Sequence, residues 1–289
     1  MLKILFNPKR AVRHPLEMML IAIVYSSIAL WISYFIFPQY ATIVMVFFTV
    51  LSCIYVLQGA FKREEGKEKK NIQEEKLLKS HLRLLILMLF LFIGFVISFA
   101  IWTFVLPSIL PIDQVALIFS SQNSAVENVR SAIIGVSGNA VSGNAISGNS
   151  ATGNVVSSNV LTPILMNNIK VLLVSLLFAF FFGAGAIFVL AWNASVMGYV
   201  IGNLARNTLG LMGMPIAFAK YFVHGIPEML AYLTAALAGG IIYMAICSGD
   251  FMNPKRNKRI VIDAIALVLI SIFLLILAAL IEVYVSPYI

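Results

Sequence analysis

Charged residues are scarce in this chain of 289 residues. They make up 11% of the sequence, whereas hydrophobic residues make up 61%, and the mean hydropathy is +0.97. A soluble globular domain has charged residues at about a quarter of its positions. The composition therefore excludes an ordinary soluble domain and is typical of a multi-pass membrane protein that lies in a lipid bilayer.

Residues with catalytic or metal-binding chemistry are also few. Cys53 and Cys247 lie within apolar runs without a CxxC spacing, so we expect neither a disulfide nor a zinc site. His14 and His81 are far from His224 in the sequence, and the HExxH, GxSxG, Walker and GxGxxG motifs are absent. We therefore expect that the protein is not an enzyme and that it holds no metal and no cofactor.

The positive charge is unevenly distributed. The net charge is +8, and most of the 20 lysines and arginines fall in segments 3–13, 62–83 and 255–259. Each segment lies beside an apolar run, where the positive-inside rule and anionic lipid headgroups account for it. The basic balance therefore indicates membrane topology, and we expect no nucleic-acid partner.

Apolar runs of membrane-spanning length determine the predicted fold. Runs close to the ~20 residues that a helix needs to cross a bilayer occupy 18–37, 42–60, 84–106, 171–192, 229–248 and 260–283. If all basic segments face the cytoplasm, 194–228 must cross once more. That segment is rich in glycine and contains Pro215, which predicts a broken helix, with a re-entrant pair as the alternative. We predict an all-α polytopic transmembrane helix bundle of about seven crossings in the cell membrane, with a cytoplasmic N-terminus and an extracytoplasmic C-terminus.

Five-residue repeats distinguish the segment between the third and fourth predicted spans. Residues 136–160 read VSGNA-VSGNA-ISGNS-ATGNV-VSSNV, and a glycine in four of the five repeats disfavours a helix. We therefore predict an irregular extracytoplasmic loop, with a small β-structure as the alternative. The predicted regions are 1–106 with a charged cytoplasmic loop at 62–83, 107–169 as the outer loop, 161–248 as the membrane core, and 249–289 with the last helix.

A polar cluster interrupts the apolar pattern before the sixth run. His224 and Glu228 are one helical turn apart and would share one helix face. A carboxylate within a membrane is costly unless it is protonated or paired, so His224, Asn193 and Arg206 are candidate partners of Glu228. The cluster is either a structural hydrogen-bonded pair or a site for an ion, a proton or a substrate. The glycines predicted to allow close helix packing are Gly183, Gly185, Gly198, Gly202, Gly225 and Gly239.

Several of these residues together resemble a known family. The motifs are Asn167-Asn168-Ile169, Gly183-Ala184-Gly185, Trp192-Asn193-Ala194, Gly198 and His224-Gly225-Ile226-Pro227-Glu228. In this combination the chain resembles the stage II sporulation protein M family. Its start, from Asn7-Pro8-Lys9 through His14-Pro15, resembles the archaeal branch. Val223 and Ala194 depart from the proline and glycine that the family has there.

The resemblance implies a multi-pass membrane protein that anchors a complex and has no enzymatic activity of its own. Together with the small-residue helix faces and the charged 62–83 loop, it predicts a non-enzymatic membrane scaffold. Such a scaffold would form homo-oligomers or recruit a membrane or cytoplasmic partner. The alternative is a transporter or channel for an ion or small solute that uses the region of His224 and Glu228.

Overall fold

The computed structural model describes residues 14–68, 74–142, 152–183, 186–208, 210–247, 249 and 254–285. Within the helices, the side chains of 61–80, 132–160 and 254–256 lie outside this description. The described chain is almost entirely helical and contains no strand. The predicted all-α class is therefore confirmed.

Nine α-helices follow one another along the described chain. Their bounds are α1 Pro15–Ile36, α2 Ala41–Glu68, α3 Glu74–Val105, α4 Ile112–Ile118, α5 Ser120–Ser142, α6 Thr152–Phe182, α7 Ala186–Asn207, α8 Met214–Cys247 and α9 Pro254–Tyr284. Short 3-10 turns at Pro38–Tyr40, Leu106–Ser108 and Gly210–Gly213 connect some of them. Proline at the start of α1 and of the first two turns fits positions where a backbone N–H has no helical partner.

Seven segments of the described chain are long and apolar enough to cross a membrane. They are Pro15–Ile36, Pro38–Ala60, His81–Ser108, Leu161–Phe182, Ala186–Asn207, Gly210–Cys247 and Asn257–Tyr284. A helix satisfies its own backbone hydrogen bonds, so this architecture suits a bilayer that offers no water to the chain. The predicted polytopic bundle and its number of spans are confirmed.

The fourth and fifth spans begin and end at other residues than the sequence predicted. The predicted span 171–192 is wrong because α6 ends at Phe182, where Gly183 adopts the left-handed conformation with φ of 59°. Its N–H donates to the Ala179 carbonyl oxygen at 2.8 Å and closes the last helical turn. The apolar run continues unbroken across this turn, so hydropathy alone does not show it.

The predicted broken helix at 194–228 is also corrected. Helix α7 runs without interruption to Asn207, and the break is the Gly210–Gly213 turn, where Gly210 has φ of 63°. Gly210, Gly213 and Pro215 therefore mark a connection between two complete spans, whereas Gly198 and Gly202 lie within α7. Helix α8 continues through Pro227, so the cluster His224 to Glu228 lies inside a helix and does not start one. Proline is tolerated inside transmembrane helices where neighbouring groups or a local backbone adjustment satisfy the carbonyl oxygen that it leaves without a donor.

The segment 107–169, predicted to be an irregular loop, is more helical than expected. Helices α4 and α5 follow α3 directly, and the Thr42 hydroxyl of α2 donates to the Ile118 carbonyl oxygen at 2.7 Å. Helical backbone extends to Ser142 and resumes at Thr152, so both ends of the repeats are helical. Their residues extend helices that are already nucleated, which costs less than starting one. Residues 143–151 lie outside the described residues.

Helices α3 and α8 form the centre of the bundle. In their most apolar windows 61% and 67% of residues are buried, against 33%, 28% and 33% in α1, α6 and α9. Helix α8 packs on α6, α7 and α9, and α3 packs on α1 and α7. The peripheral helices expose large apolar side chains such as Phe35, Phe181 and Phe273, as expected for surfaces in contact with lipid.

Glycines allow α7 and α8 to contact neighbouring backbones. A Cβ at residue 198 would lie 2.6 Å from the Phe99 Cβ and 2.9 Å from the Val96 carbonyl oxygen of α3. At residue 202 it would lie 2.6 Å from the Ala100 carbonyl oxygen. On α8, a Cβ at residue 239 would lie 2.5 Å from the Leu176 carbonyl oxygen of α6. These glycines therefore determine how closely the helices approach one another.

We predict that Gly198→Ala lowers the stability of the purified protein, whereas Gly225→Ala is tolerated. A Cβ at residue 198 meets backbone atoms of α3, and the resulting shift of two helices costs about 1–3 kcal/mol. A Cβ at residue 225 meets only the flexible end of Met197, which can rotate away. Thermal unfolding in detergent measures both variants, and equal melting temperatures would contradict the packing that we describe.

Candidate functional site

The carboxylate of Glu228 is paired within its own helix. The Tyr232 hydroxyl, one turn further along α8, donates to Glu228 Oε1 at 2.6 Å. Tyr232 is buried, with only 2% of its surface exposed. A short hydrogen bond to a carboxyl group compensates part of the cost of removing that group from water. The sequence had suggested His224, Asn193 or Arg206 as partners of Glu228 and did not suggest Tyr232.

A second carboxylate belongs to the same neighbourhood. Glu282, near the end of α9, is close enough to Glu228 and to Tyr221 for their charges to interact. The rings of Tyr221 and His224 pack edge to face, with centroids 6.0 Å apart. We call Tyr221, His224, Glu228, Tyr232 and Glu282 the α8–α9 polar cluster. Two carboxyl groups, an imidazole and two phenols can bind or exchange a proton.

The other two candidate partners of Glu228 make hydrogen bonds elsewhere. The Asn193 side-chain amide donates to the Val189 carbonyl oxygen of its own helix at 2.8 Å. Arg206 lies in the last turn of α7, and its Nη1 donates to the Phe104 carbonyl oxygen at 2.8 Å and to Ser108 Oγ at 3.3 Å. Of the predicted polar cluster, the structure therefore places His224 and Glu228 together on α8. Arg206 is at the end of the bundle where α3 ends.

The predicted packing glycines have different environments. Gly183 forms the turn after α6, and a Cβ there would lie 2.7 Å from the Tyr243 ring. Gly198, Gly202 and Gly239 face backbone atoms, as described above, and Gly225 faces the side chain of Met197. Gly185 lies outside the described residues. Among the residues that the structure describes, no group of three His, Cys, Asp or Glu side chains is arranged to hold a metal ion.

Two amide side chains, those of Gln122 and Asn168, are buried although the sequence did not predict their burial. Gln122 of α5 is fully buried, and its Nε2 donates to Ser195 Oγ of α7 at 3.0 Å. Asn168 of α6 is 4% exposed, and its Nδ2 has no hydrogen-bond partner in the described structure. Asn168 had been noticed only as part of a motif, and Gln122 lies in the segment predicted to be an irregular loop. Only a tertiary contact reveals the role of Gln122.

The side of α6 that faces away from the bundle has an exposed lysine within an apolar span. Lys170 is the charged residue of the span Leu161–Phe182, and both Lys170 and Asn167 are exposed. At ~1.5 Å per residue, Lys170 lies about 13 Å along the helix from Leu161 and about 18 Å from Phe182. The described residues provide no ion-pair partner for it. Exposed apolar side chains on the same side of α6 are Met166, Leu173, Val174 and Leu177.

We predict that Tyr232→Phe destabilises the protein by about 1–3 kcal/mol because it leaves the buried Glu228 carboxyl group without its donor. Tyr55→Phe is the matched control, since Tyr55 is 60% exposed on α2. Thermal unfolding of both variants in the same detergent makes the comparison. If the two variants melt at the same temperature, the hydrogen bond contributes nothing to stability.

Comparisons with known proteins agree with this architecture. The sequence profile of the family Stage II sporulation protein M matches residues 84–287, from the body of α3 to beyond the end of α9. An uncharacterised protein of the archaeon Methanocaldococcus jannaschii is 33% identical over 128 residues, which are 43% of this chain and 69% of that protein. No solved structure matches the chain. Since the profile covers more than half of its length, the chain belongs to the stage II sporulation protein M family.

Proposed function

We propose that the protein is a non-enzymatic membrane scaffold that anchors a partner membrane protein on the outer face of α6. The observation that carries the proposal is the exposed Lys170 within the span Leu161–Phe182. A lysine near the centre of a transmembrane helix costs roughly 3 kcal/mol when it faces lipid. A carboxylate on an adjacent helix would offset that cost, because ionic groups in a membrane are stabilised by pairing.

The side chains around Lys170 suit the packing of a helix. Leu173, Val174 and Leu177 follow it at spacings of three, four and seven residues, which form one side of an α-helix. Each of the three is at least 42% exposed. We define the α6 stripe as Met166, Asn167, Lys170, Leu173, Val174 and Leu177. A partner transmembrane helix packed along the α6 stripe would bury the apolar residues of the stripe. It would contact Lys170 near the middle of the span.

The charge of Lys170 favours a different protein, and not a second copy of this chain, as the partner on the α6 stripe. A symmetric pair of α6 stripes would bring two lysines together, which is repulsive. The carboxylates within the described spans, which are Glu17, Glu228, Asp263 and Glu282, are all partly buried against their own chain. We therefore propose a heteromeric partner with an aspartate or glutamate in a transmembrane helix.

Close packing along α8 supports a scaffold over a channel. Every residue from 231 to 241 is buried, and most of them are alanine, glycine or leucine. Gly239 brings α8 into contact with the backbone of α6, which leaves no room for a solute between these two helices. A close-packed core with an apolar α6 stripe that contains one lysine is suited to holding a partner helix in place.

The membrane orientation is part of the proposal. Helix α2 extends to Glu68 and α3 begins at Glu74, so most of the predicted charged loop 62–83 is helical. Because successive spans alternate in direction, this junction and the basic start of α9 at 255–259 lie at the same end of the bundle. Trp31 and Trp102 lie near the other end with ring centroids 5.3 Å apart, as expected in an interfacial aromatic belt. We therefore place residue 15 on the cytoplasmic side and residue 284 on the outer side, since seven spans separate them.

We predict that a photo-crosslinking amino acid at Leu173 captures a distinct membrane protein in native membranes. The same probe at Leu269 of α9 is the control, because Leu269 is 62% exposed and no lysine lies within seven residues of it in the sequence. Lys170→Leu should abolish the adduct at residue 173 while the protein still inserts. Mass spectrometry identifies the adduct. Equal labelling from both positions, or an adduct only with a second copy of the chain, would contradict the proposed partner.

Transport of a proton or small cation is the second candidate function, and the α8–α9 polar cluster favours it. Glu228 of α8 and Glu282 of α9 are near enough for their charges to interact, Tyr232 donates a hydrogen bond to Glu228, and the rings of Tyr221 and His224 pack together. Intramembrane carboxylates of this kind occur in proton and ion pathways. In this chain the cluster would bind the ion, while the close-packed remainder of α8 would have to move to release it.

Flux into proteoliposomes tests this second function. If the cluster transports protons or cations, Glu228→Gln should abolish uptake, because the amide cannot ionise but still accepts the Tyr232 hydrogen bond. Lys258→Gln is the control for a general effect of charge, since Lys258 is exposed near the start of α9. Equal uptake by wild-type and Glu228→Gln proteoliposomes would exclude transport through this cluster.

A further inference from the structure

A cavity of about 320 Å³ lies at the end of the bundle where α3 and α7 end. Helix α4 and the start of α5 form its remaining walls. This volume is at the lower end of the range of ligand sites, which is about 300–1,000 Å³. The polar residues that line it are Thr103, Asn123, Tyr199, Asn203, Arg206 and Asn207. The opposite wall is apolar and includes Ile112 and Phe119.

The polar lining is positively charged and contains no carboxylate. Arg206 is the charged residue that lines the cavity, and it forms no ion pair with any described residue. Its Nη1 donates to Phe104 and Ser108, which fixes the guanidinium beside the cavity. The donors on Nε and Nη2 make no further hydrogen bond in the described structure. A positioned guanidinium with free donors is suited to binding an oxyanion in two-pronged geometry.

Neighbouring groups complete a set of hydrogen-bond donors. The Tyr199 hydroxyl donates to Asn123 Oδ1 at 3.0 Å, so the Asn123 amide nitrogen remains available as a donor. Thr103 in the wall is only 2% exposed, and its Oγ1 has no hydrogen-bond partner in the described structure. A buried hydroxyl without a partner costs free energy.

We propose that this cavity binds a phosphate group, held by Arg206 and the side-chain amides of Asn123 and Asn203. The phosphate belongs either to a phospholipid headgroup or to a soluble phosphate ester. Arg206 lies in the last turn of the span Ala186–Asn207, the level at which headgroups meet a membrane protein. The apolar wall suits the carbons of a glycerol unit. The site is separate from the α6 stripe and does not depend on it.

Two variants test the site by different routes. Arg206→Gln removes the charge, and Ala116→Trp fills the cavity from its lining without changing Arg206. Lys258→Gln removes one positive charge elsewhere and is the matched control. The probes are glycerol 3-phosphate in solution and phosphatidylglycerol in nanodiscs, with diacylglycerol as the lipid without phosphate. Thermal shift measures binding of the soluble probe, and native mass spectrometry measures retained lipid.

Arg206→Gln should weaken phosphate binding by about 10- to 100-fold, which is the usual effect of losing a charged hydrogen bond. Ala116→Trp should also weaken binding, because the indole ring occupies the volume that the ligand needs. Loss of the glycerol 3-phosphate response would identify a soluble ligand. Loss of retained phosphatidylglycerol, with no response to the soluble probe in the wild type, would identify a lipid headgroup. The proposal is overturned if neither variant changes binding of either probe, if Lys258→Gln has the same effect, or if diacylglycerol is retained equally well.

Discussion

Close contact between helix backbones is the constraint on which the rest of this bundle depends. In a bilayer, burying apolar side chains between helices gains little, because lipid tails are equally apolar. Association then relies on packing, and packing is tightest where glycine lets one backbone contact another. Gly198 and Gly202 allow α7 to pack closely against α3, and Gly239 allows α8 to pack closely against α6. These contacts set the positions of α7 and α8, and therefore of every polar group on them.

Polar groups in the bundle fall into two kinds according to their partners. Some are paired inside the protein, such as Glu228 with Tyr232 and Gln122 with Ser195. These pairs connect elements or stabilise a central helix, and they offset the cost of removing a polar group from water. Lys170 and Arg206 are different, because the described residues give neither of them an ion pair. A lysine within an apolar span is costly when it faces lipid, whereas an arginine at the end of a span can reach water and lipid headgroups.

Our two proposals assign different partners to Lys170 and Arg206. Lys170 lies on the outer face of a peripheral helix, well inside an apolar span, where a second transmembrane helix can reach it. Arg206 lies at the end of a span beside a cavity, where a small anion or a lipid headgroup can reach it. Both are compatible with a scaffold that is rigid inside and binds at its surface. A transport function, in contrast, would depend on the α8–α9 polar cluster.

The sequence by itself determined the class of protein, the number of spans and the family. A span and its flanking positive charges are encoded in about 20 consecutive residues, so both can be recognised from the sequence before the fold is known. Only the tertiary structure decided where α6 ends, because one glycine with positive φ turns the chain inside an unbroken apolar run. It also decided the partners of the polar groups. Tyr232 and Gln122 look ordinary in the sequence, and their roles arise from which helices lie side by side.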